Sequence, residues 1–317
     1  MSATAPAPEI SFQQFEIGPP DRRVMVWRTV NIDRAMRSIP ILIAPGFGRK
    51  MSAFGPLAMY LAYSGFEVFR YDPLDHVGLS SGGMEDFTMS KGLACMQQVI
   101  DWMREERGLS GVGVVATSLS ARIAYRLVAR SSDVRFLVTA VGVTNLQYTL
   151  KQVFGVDYST YAPEALPEFV TFEERHNVRA ATFHADCVAH DWFAHATTVR
   201  EVSSSATPII AFIGSNDEWV REEDVRGALA SGNGLRRLYN LTGSGHDLGN
   251  NPQVARYLFK EVARAADMVT EGKPEMTELE LEPQFNVISE HSIRERRLYQ
   301  AADAQAIGAA QLAAKAG

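Results

Sequence analysis

Ser118 lies between an apolar run and a segment with helical spacing, in the sequence VVATSLSAR. A serine on a sharp strand-to-helix turn exposes its hydroxyl, and the helix N-terminus then faces any negative charge that develops there. Such a turn needs small residues two positions before and after the serine, and Ala116 and Ser120 meet that need. We predict Ser118 as a nucleophile and the N–H of Leu119 as an oxyanion donor. The alternatives are a serine that only caps a helix, or Ser120 as the nucleophile.

The predicted base and its acid partner come later in the chain, each directly after a predicted strand. Asp217 follows the apolar run PIIAFIG, and His246 lies in the glycine-rich sequence LTGSGHD. A carboxylate that orients an imidazole, which then removes the serine proton, is a common way to activate a serine nucleophile. Glu218 is the alternative acid, and a solvated turn carboxylate is the alternative role for Asp217. The chain order of serine, acid and histidine favours a triad.

A short loop with two glycines offers the second oxyanion donor. Pro45-Gly46-Phe47-Gly48 directly follows the apolar run IPILIA. Acyl transfer needs a second N–H beside the attacked carbonyl, and such loops after a neighbouring strand supply it. We therefore predict the N–H of Phe47 as that donor, with an ordinary glycine turn as the alternative.

Strand and helix patterns alternate along the part of the chain that carries these residues. Continuous apolar runs without alternation are typical of strands buried on both faces, as in parallel sheets. The repeated alternation predicts an α/β fold with a mostly parallel, doubly wound sheet. The predicted strands are residues 23–30, 39–44, 66–71, 111–116, 134–143, 208–214 and 237–241, and the predicted helices are residues 51–64, 90–106, 120–131 and 252–268.

The alternation stops between residues 145 and 205, where aromatic residues are interleaved with proline and acidic residues. We interpret this segment as an inserted, mostly helical cap. The core then comprises 13–144 and 206–270, and 271–317 form a C-terminal tail that is acidic first and then alanine-rich, with the alanine-rich part expected to be helical or frayed. The first dozen residues are predicted to be loose. The cap histidines His184, His190 and His195 lack a paired acid motif, so we expect no metal site.

Composition and charge exclude several classes of function. The chain has 317 residues and a formal net charge of −6, which argues against nucleic acid as the main ligand. The only cysteines, Cys95 and Cys187, are predicted to be reduced and buried. The N-terminus has no secretory pattern, and no apolar run approaches membrane-spanning length. We expect a cytoplasmic protein that needs no cofactor.

Several runs resemble the acyl transferases of bacterial bioluminescence, the LuxD type of the α/β-hydrolase superfamily. They are ILIAPGFGRKM, GFEVFRYDPLDHVGLSSG, EDFTMSKG, ATSLSARIAY, FLVTAVGVTNL, PIIAFIGSNDEWV and GSGHDLGNN. The resemblance covers most of the chain from about Val24 and places the nucleophile on Ser118, the acid on Asp217 and the base on His246. Pro45 and Gly48 in the oxyanion loop, and the alanine-rich end after about Ser292, depart from the family pattern.

The resemblance implies cleavage of fatty acyl thioesters, chiefly the tetradecanoyl group on acyl carrier protein, with release of the fatty acid for reduction to aldehyde. It thus implies an acyl carrier protein or acyl-CoA thioester as partner, together with a fatty acid reductase complex. Another serine thioesterase, or a carboxylesterase, of a biosynthetic pathway is the alternative enzyme. A non-catalytic ligand-binding protein is a further alternative, which the intact triad disfavours.

A fatty acyl chain requires an apolar tunnel, because each buried CH₂ is worth about 0.8 kcal/mol. Plain core packing is the alternative role for each residue that we place in this tunnel. The predicted lining residues are Phe47, Met51, Phe54, Leu119, Phe154 and Trp192.

Overall fold

The computed structural model describes residues 9–279 and 282–316. Its strands, in chain order, are β1 (Ile10–Ile17), β2 (Val24–Asn31), β3 (Ile41–Ala44), β4 (Val68–Asp72), β5 (Val112–Thr117), β6 (Val134–Ala140), β7 (Phe169–Phe172), β8 (His176–Arg179), β9 (Ile209–Gly214) and β10 (Arg236–Leu241). Its helices are α1 (Gly55–Tyr63), α2 (Met89–Arg107), α3 (Leu119–Arg130), α4 (Leu146–Phe154), α5 (Ala180–Ala189), α6 (His195–Ser204), α7 (Glu222–Leu229), α8 (Pro252–Thr270) and α9 (Phe285–Ala316).

Eight strands form one sheet in the order β1-β2-β4-β3-β5-β6-β9-β10. The β1–β2 and β2–β4 pairs are antiparallel, and the other neighbours are parallel. Successive residues of β5 enter different cores: Val114 packs on the side of α2 and α3, and Val115 packs on the side of α1 and α8. Helices therefore cover both faces, which explains the continuous apolar runs and confirms the predicted parallel, doubly wound sheet.

The N-terminal region differs from the prediction. The first dozen residues were expected to be loose, but β1 begins at Ile10 and pairs antiparallel with β2 along its whole length. Apolar residues alternate only imperfectly in this edge strand, where Ile10 and Ile17 are buried and the central Gln13 and Gln14 are exposed. Because this pattern is weak, β1 was not predicted from the sequence. Residues 1–8 lie outside the described residues.

The segment predicted to be the cap contains α4, α5 and α6, and it also contains an antiparallel hairpin of β7 and β8. No strand was predicted there, because each strand has only four residues. The hairpin turn places Glu173 and Glu174 at φ of 49° and 57°, a left-handed conformation that non-glycine residues adopt at an energetic cost. We refer to residues 169–179 as the cap hairpin.

The predicted C-terminal tail includes a long helix, α9, that packs against α1. Buried Glu295 pairs with buried Arg70 of β4, and the Tyr299 hydroxyl donates to Asp72 at the end of the same strand. This segment therefore contributes to the core, which its alanine-rich composition did not indicate. Among the helices of residues 9–279 and 282–316, none combines the length and the apolar composition that a membrane span requires.

Candidate active site

The turn between β5 and α3 holds Ser118 in an unusual backbone conformation, with φ of 52° and ψ of −123°. Neighbouring backbone groups fix this conformation. The Ser118 N–H donates to the Ala140 carbonyl, and its carbonyl accepts from the N–H groups of Ala121 and Val143, each over 3.1 Å. The Ser120 hydroxyl donates to the Pro45 carbonyl. Ser120 therefore ties the turn to the neighbouring loop, whereas the Ser118 hydroxyl faces the site.

The structure brings together the three residues of the predicted triad. The Ser118 Oγ lies 2.8 Å from Nε2 of His246, and Nδ1 of the same imidazole lies 2.9 Å from Oδ2 of Asp217. These residues follow β5, β9 and β10, so the carboxyl ends of three parallel strands converge at one edge of the sheet. In this geometry the imidazole can accept the serine proton while the carboxylate fixes its tautomer.

The Asp217 side chain is fully buried and is held from two directions. Its Oδ1 accepts the N–H groups of Trp219 and Val220 at 2.9 and 3.0 Å. These two backbone hydrogen bonds orient the carboxylate toward His246. Trp219 also packs its ring against the imidazole, with 4.6 Å between ring centroids. Glu218, the alternative acid, is exposed, and the hydrogen bonds and the ion pair of the His246 Nδ1 go to Asp217 instead.

The oxyanion loop, residues 45–48, approaches the serine turn closely. A Cβ added to Gly46 would lie 3.2 Å from Thr117 Oγ1 and 3.3 Å from Ser118 Cβ, which explains why a glycine stands there. Neither the Phe47 N–H nor the Leu119 N–H donates to a protein group within the described part of the chain. Both predicted oxyanion donors are therefore free to bind a substrate oxygen.

His76 is a site residue that the sequence analysis missed. It lies in the DHVGLSSG loop after β4, and its Nε2 accepts the Gly48 N–H at 3.0 Å. Its ring also packs edge-on against Phe47, with 5.4 Å between centroids. Burial lowers the pKa of His76 to about 4, so the imidazole is neutral and Nε2 keeps the lone pair that this bond requires. The sequence of this loop indicates only a turn, because no residue near His76 in the chain identifies the histidine as part of a site.

Replacing His76 tests whether this bond positions the oxyanion loop. We expect His76→Ala to lower kcat about tenfold to a hundredfold with little change in KM, because a misplaced Phe47 N–H weakens transition-state stabilisation. His76→Gln should recover most of kcat, since its amide oxygen can accept the Gly48 N–H. Steady-state kinetics of the two variants give the comparison. Equal losses in both variants, or a loss confined to KM, would contradict the positioning role.

The low pKa of His76 also predicts a pH dependence of stability. The unfolded state takes up a proton below pH 6.5, and the folded state does so only below about pH 4. The contribution of His76 to the free energy of unfolding is therefore fully present above pH 6.5. It decreases by about 3 kcal/mol in total as the pH falls toward 4. Urea unfolding at several pH values should show a loss that is larger by about this amount in the wild type than in His76→Gln, because His176 and His291, whose pKa values burial also lowers, titrate in both proteins. The same pH dependence in both proteins would exclude His76 as its source.

Two cavities meet at Ser118, and both also contact Phe47, Phe172 and Trp219. The first, the cap cavity, measures about 60 Å³ and lies between the serine turn and the cap. Its further lining includes Leu119, Leu150, Val153, Phe154, Val170 and Phe183. The second, the helix cleft, measures about 360 Å³ and extends between the sheet and helices α1 and α8. Its further lining includes Phe54, Leu57, Val115, Ala255, Leu258 and Val262.

The predicted tunnel residues divide between these spaces and the core. Phe47, Leu119 and Phe154 line the cap cavity, and Phe47 and Phe54 line the helix cleft.

Two predicted tunnel residues lie elsewhere. Met51 is buried in a separate cluster with Trp27 and Tyr299, and its N–H donates to Asp72 at 2.7 Å. Trp192 is fully buried and its ring faces the Arg126 guanidinium at 3.4 Å, so its role is packing. Neither lines the cap cavity or the helix cleft, and the prediction that they contact the acyl chain is corrected.

The fold and the arrangement at its strand ends define the class of the protein: it has the α/β-hydrolase fold, with serine, carboxylate and histidine at the carboxyl ends of three parallel strands. Solved structures with this fold include Est1E from Butyrivibrio proteoclasticus with ferulic acid bound, which aligns with a TM-score of 0.65 at 16% identity over 83% of this chain and 98% of that chain. A monoglyceride lipase from Saccharomyces cerevisiae aligns with a TM-score of 0.61 at 11% identity over 85% and 98%.

Sequence comparison gives the family. The profile described as "Acyl transferase" matches residues 16–304, and the chain belongs to this acyl transferase family. An acyl transferase of Shewanella hanedai is 41% identical over 280 residues, which are 88% of this chain and 90% of that protein. An acyl transferase of Vibrio campbellii is 40% identical over 279 residues, 87% and 90% of the two chains. These findings confirm the resemblance that the sequence motifs indicated.

Proposed function

We propose that the protein cleaves long-chain acyl thioesters through an acyl ester on Ser118. The single observation that carries the proposal is the 2.8 Å contact of the Ser118 hydroxyl with His246, at a point where two apolar cavities meet. A nucleophile beside a base, with two free N–H groups nearby, supports attack on a carbonyl. The apolar walls support a substrate with a long hydrocarbon chain.

In this mechanism the Ser118 Oγ attacks the thioester carbonyl carbon while His246 Nε2 takes the hydroxyl proton. The carbonyl oxygen becomes an oxyanion, which the N–H groups of Phe47 and Leu119 stabilise. The intermediate collapses with breakage of the C–S bond, and the departing sulfur takes the proton from His246. A water molecule or an acceptor hydroxyl then attacks the acyl-Ser118 ester by the same steps. Asp217 holds the imidazole and stabilises its cationic form throughout.

The hydrocarbon chain supplies the binding energy that selects the substrate. Each methylene transferred from water into an apolar wall contributes about 0.8 kcal/mol, so a chain of fourteen carbons gains far more than a short one. A tetradecanoyl thioester of acyl carrier protein or coenzyme A fits this requirement. In the proposed physiological role, the released fatty acid passes to a reductase complex that reduces it to an aldehyde. This complex is therefore a proposed partner of the protein.

A panel of acyl thioesters and matched oxygen esters of graded chain length tests the proposal. We expect kcat/KM for thiol release to rise at least tenfold from the butanoyl to the tetradecanoyl thioester. A fluorophosphonate probe should label the wild type covalently, because it reacts with activated serines. A preference for short oxygen esters over long thioesters would favour a carboxylesterase, and absence of labelling would contradict the activated serine.

A further inference from the structure

The helix cleft has a polar end at the surface and an apolar end inside the core. Its charged lining residues are Arg49, which follows the oxyanion loop, Glu173 of the cap hairpin, and Asp247, which follows His246. The side chains of Arg49 and Asp247 are 40% and 49% exposed, so this end of the cleft opens to solvent. The side chains that α1 and α8 contribute to the lining are all aliphatic or aromatic.

Helix α8 shows how the cleft runs into the core. Ala255, Leu258, Phe259 and Val262 line the cleft at positions i, i+3, i+4 and i+7, which lie on one face of the helix. Burial increases along this face from half-buried Ala255 to Val262, which is 0% exposed. Ala255 therefore marks the outer end and Val262 the inner end, about 10 Å apart at a helical rise of about 1.5 Å per residue.

Strand β5 gives the same direction from the nucleophile. Thr117 and Val115 both line the cleft, because alternate residues of a strand point to the same side. Val115 lies three residues before Ser118, which is about 10 Å at about 3.3 Å per residue. It is fully buried in the same core cluster as Val262. The cleft thus extends from the serine at the strand end into the core between β5 and α8.

A space with such walls suits an apolar occupant. Protein interiors are close-packed, and voids larger than a water molecule are few. The cleft measures about 360 Å³, which is room for about twelve groups of about 30 Å³, the volume of one water molecule in the liquid and roughly that of a methylene. The cap cavity, at about 60 Å³, has room for about two. Ordered water needs polar partners, and the inner walls of the cleft offer none, so a hydrocarbon chain fits them better than water does.

We propose, on the basis of the proposed function, that the acyl chain lies in the helix cleft, with its carbonyl at Ser118 and its methyl end toward Val262. The inner end of the cleft then limits the length of the chain, which makes Val262 a residue that determines specificity. Ala255 lies at the outer end, so added bulk at this position meets the chain after fewer carbons.

The experiment measures kcat/KM for butanoyl-, octanoyl- and tetradecanoyl-coenzyme A. Each methylene that loses its apolar wall lowers kcat/KM about fourfold, so the exclusion of two or more is measurable. Ala255→Phe should lower the octanoyl-to-butanoyl ratio at least tenfold. Val262→Phe should change that ratio less than threefold and should lower the tetradecanoyl-to-butanoyl ratio at least tenfold, because its ring obstructs only the inner end.

Val269→Phe is the matched control, since it makes the same substitution on the same helix. Val269 lies two turns after Val262 and packs against the same core cluster, but it is outside the lining of the cleft. We expect this variant to keep both wild-type ratios. Val262→Leu, a smaller enlargement, should lower the tetradecanoyl-to-butanoyl ratio at least threefold, and it replaces Val262→Phe if thermal unfolding shows that the ring disrupts the fold.

The other outcomes would overturn the inference. Unchanged ratios in Ala255→Phe and Val262→Phe, or equal losses in Val269→Phe, would exclude the cleft as the acyl site. An octanoyl ratio that falls as far in Val262→Phe as in Ala255→Phe would refute the order of the two ends. Val153→Phe enlarges a lining residue of the cap cavity, and a loss there without one in Val262→Phe would place the chain in that cavity. Absence of thiol release from every thioester in the wild type would instead contradict the proposed function itself.

Discussion

Ser118→Ala is expected to lower thioester turnover by roughly 10⁴-fold to 10⁶-fold, because the members of a triad act as a unit. Without the Oγ, His246 has no proton to accept and the carbonyl has no nucleophile 2.8 Å from the imidazole. Thiol release under saturating substrate measures the loss. Labelling by a fluorophosphonate should disappear in the same variant.

Ser120→Ala is the matched control for this result, because the second serine lies two residues away on the same turn. Its hydroxyl donates to the Pro45 carbonyl and does not contact His246. We expect it to lose far less activity, through a less firmly held oxyanion loop, and to keep the covalent label. Near-normal turnover in Ser118→Ala, or loss of label only in Ser120→Ala, would contradict the assignment of the nucleophile.

Glu295→Ala is expected to lower the free energy of unfolding by about 3–5 kcal/mol, because it leaves a buried cation without its partner. Arg70 is only 1% exposed, and its Nη1 lies 3.3 Å from Glu295 Oε2. Burial lowers the pKa of Arg70 to about 9, which shows how strongly this environment disfavours the charged guanidinium. Denaturant unfolding monitored by tryptophan fluorescence measures the change.

Two further variants make this stability prediction specific. Glu290→Ala removes an exposed carboxylate from the same helix, so its effect should stay within about 0.5 kcal/mol. Joint replacement of Arg70 by Met and Glu295 by Leu removes both charges, and it should recover most of the loss. If Glu295→Ala and Glu290→Ala lower the free energy of unfolding by the same amount, the ion pair does not stabilise the packing of α9 on the core.

The triad could be predicted from sequence because its signals are local. Ser118, Asp217 and His246 each follow a strand whose apolar run is visible in the chain, and parallel strands bring their carboxyl ends to one edge of a sheet. The tight approach of Gly46 to Ser118 has a local signal too, since a side chain there would collide with the serine turn.

The residues that were missed or misplaced depend on distant partners. His76 acts through Gly48, which belongs to a different loop. No residue spacing in the sequence predicts the hydrogen bond between them. Met51 and Trp192 are apolar residues that could line a tunnel or fill a core. Only the folded chain shows Met51 in a separate core cluster and Trp192, between α5 and α6, against Arg126 of α3.

The contact between α9 and β4 has a consequence for the protein during its synthesis. The carboxylate of Asp72 accepts the N–H groups of Met51 and Leu79 and the hydroxyl of Tyr299. A nascent chain has the first two donors long before the third, because Tyr299 lies 227 positions after Asp72. The segment that follows the oxyanion loop therefore gains its third contact through Asp72 only after residue 299 has been synthesised and has left the ribosome.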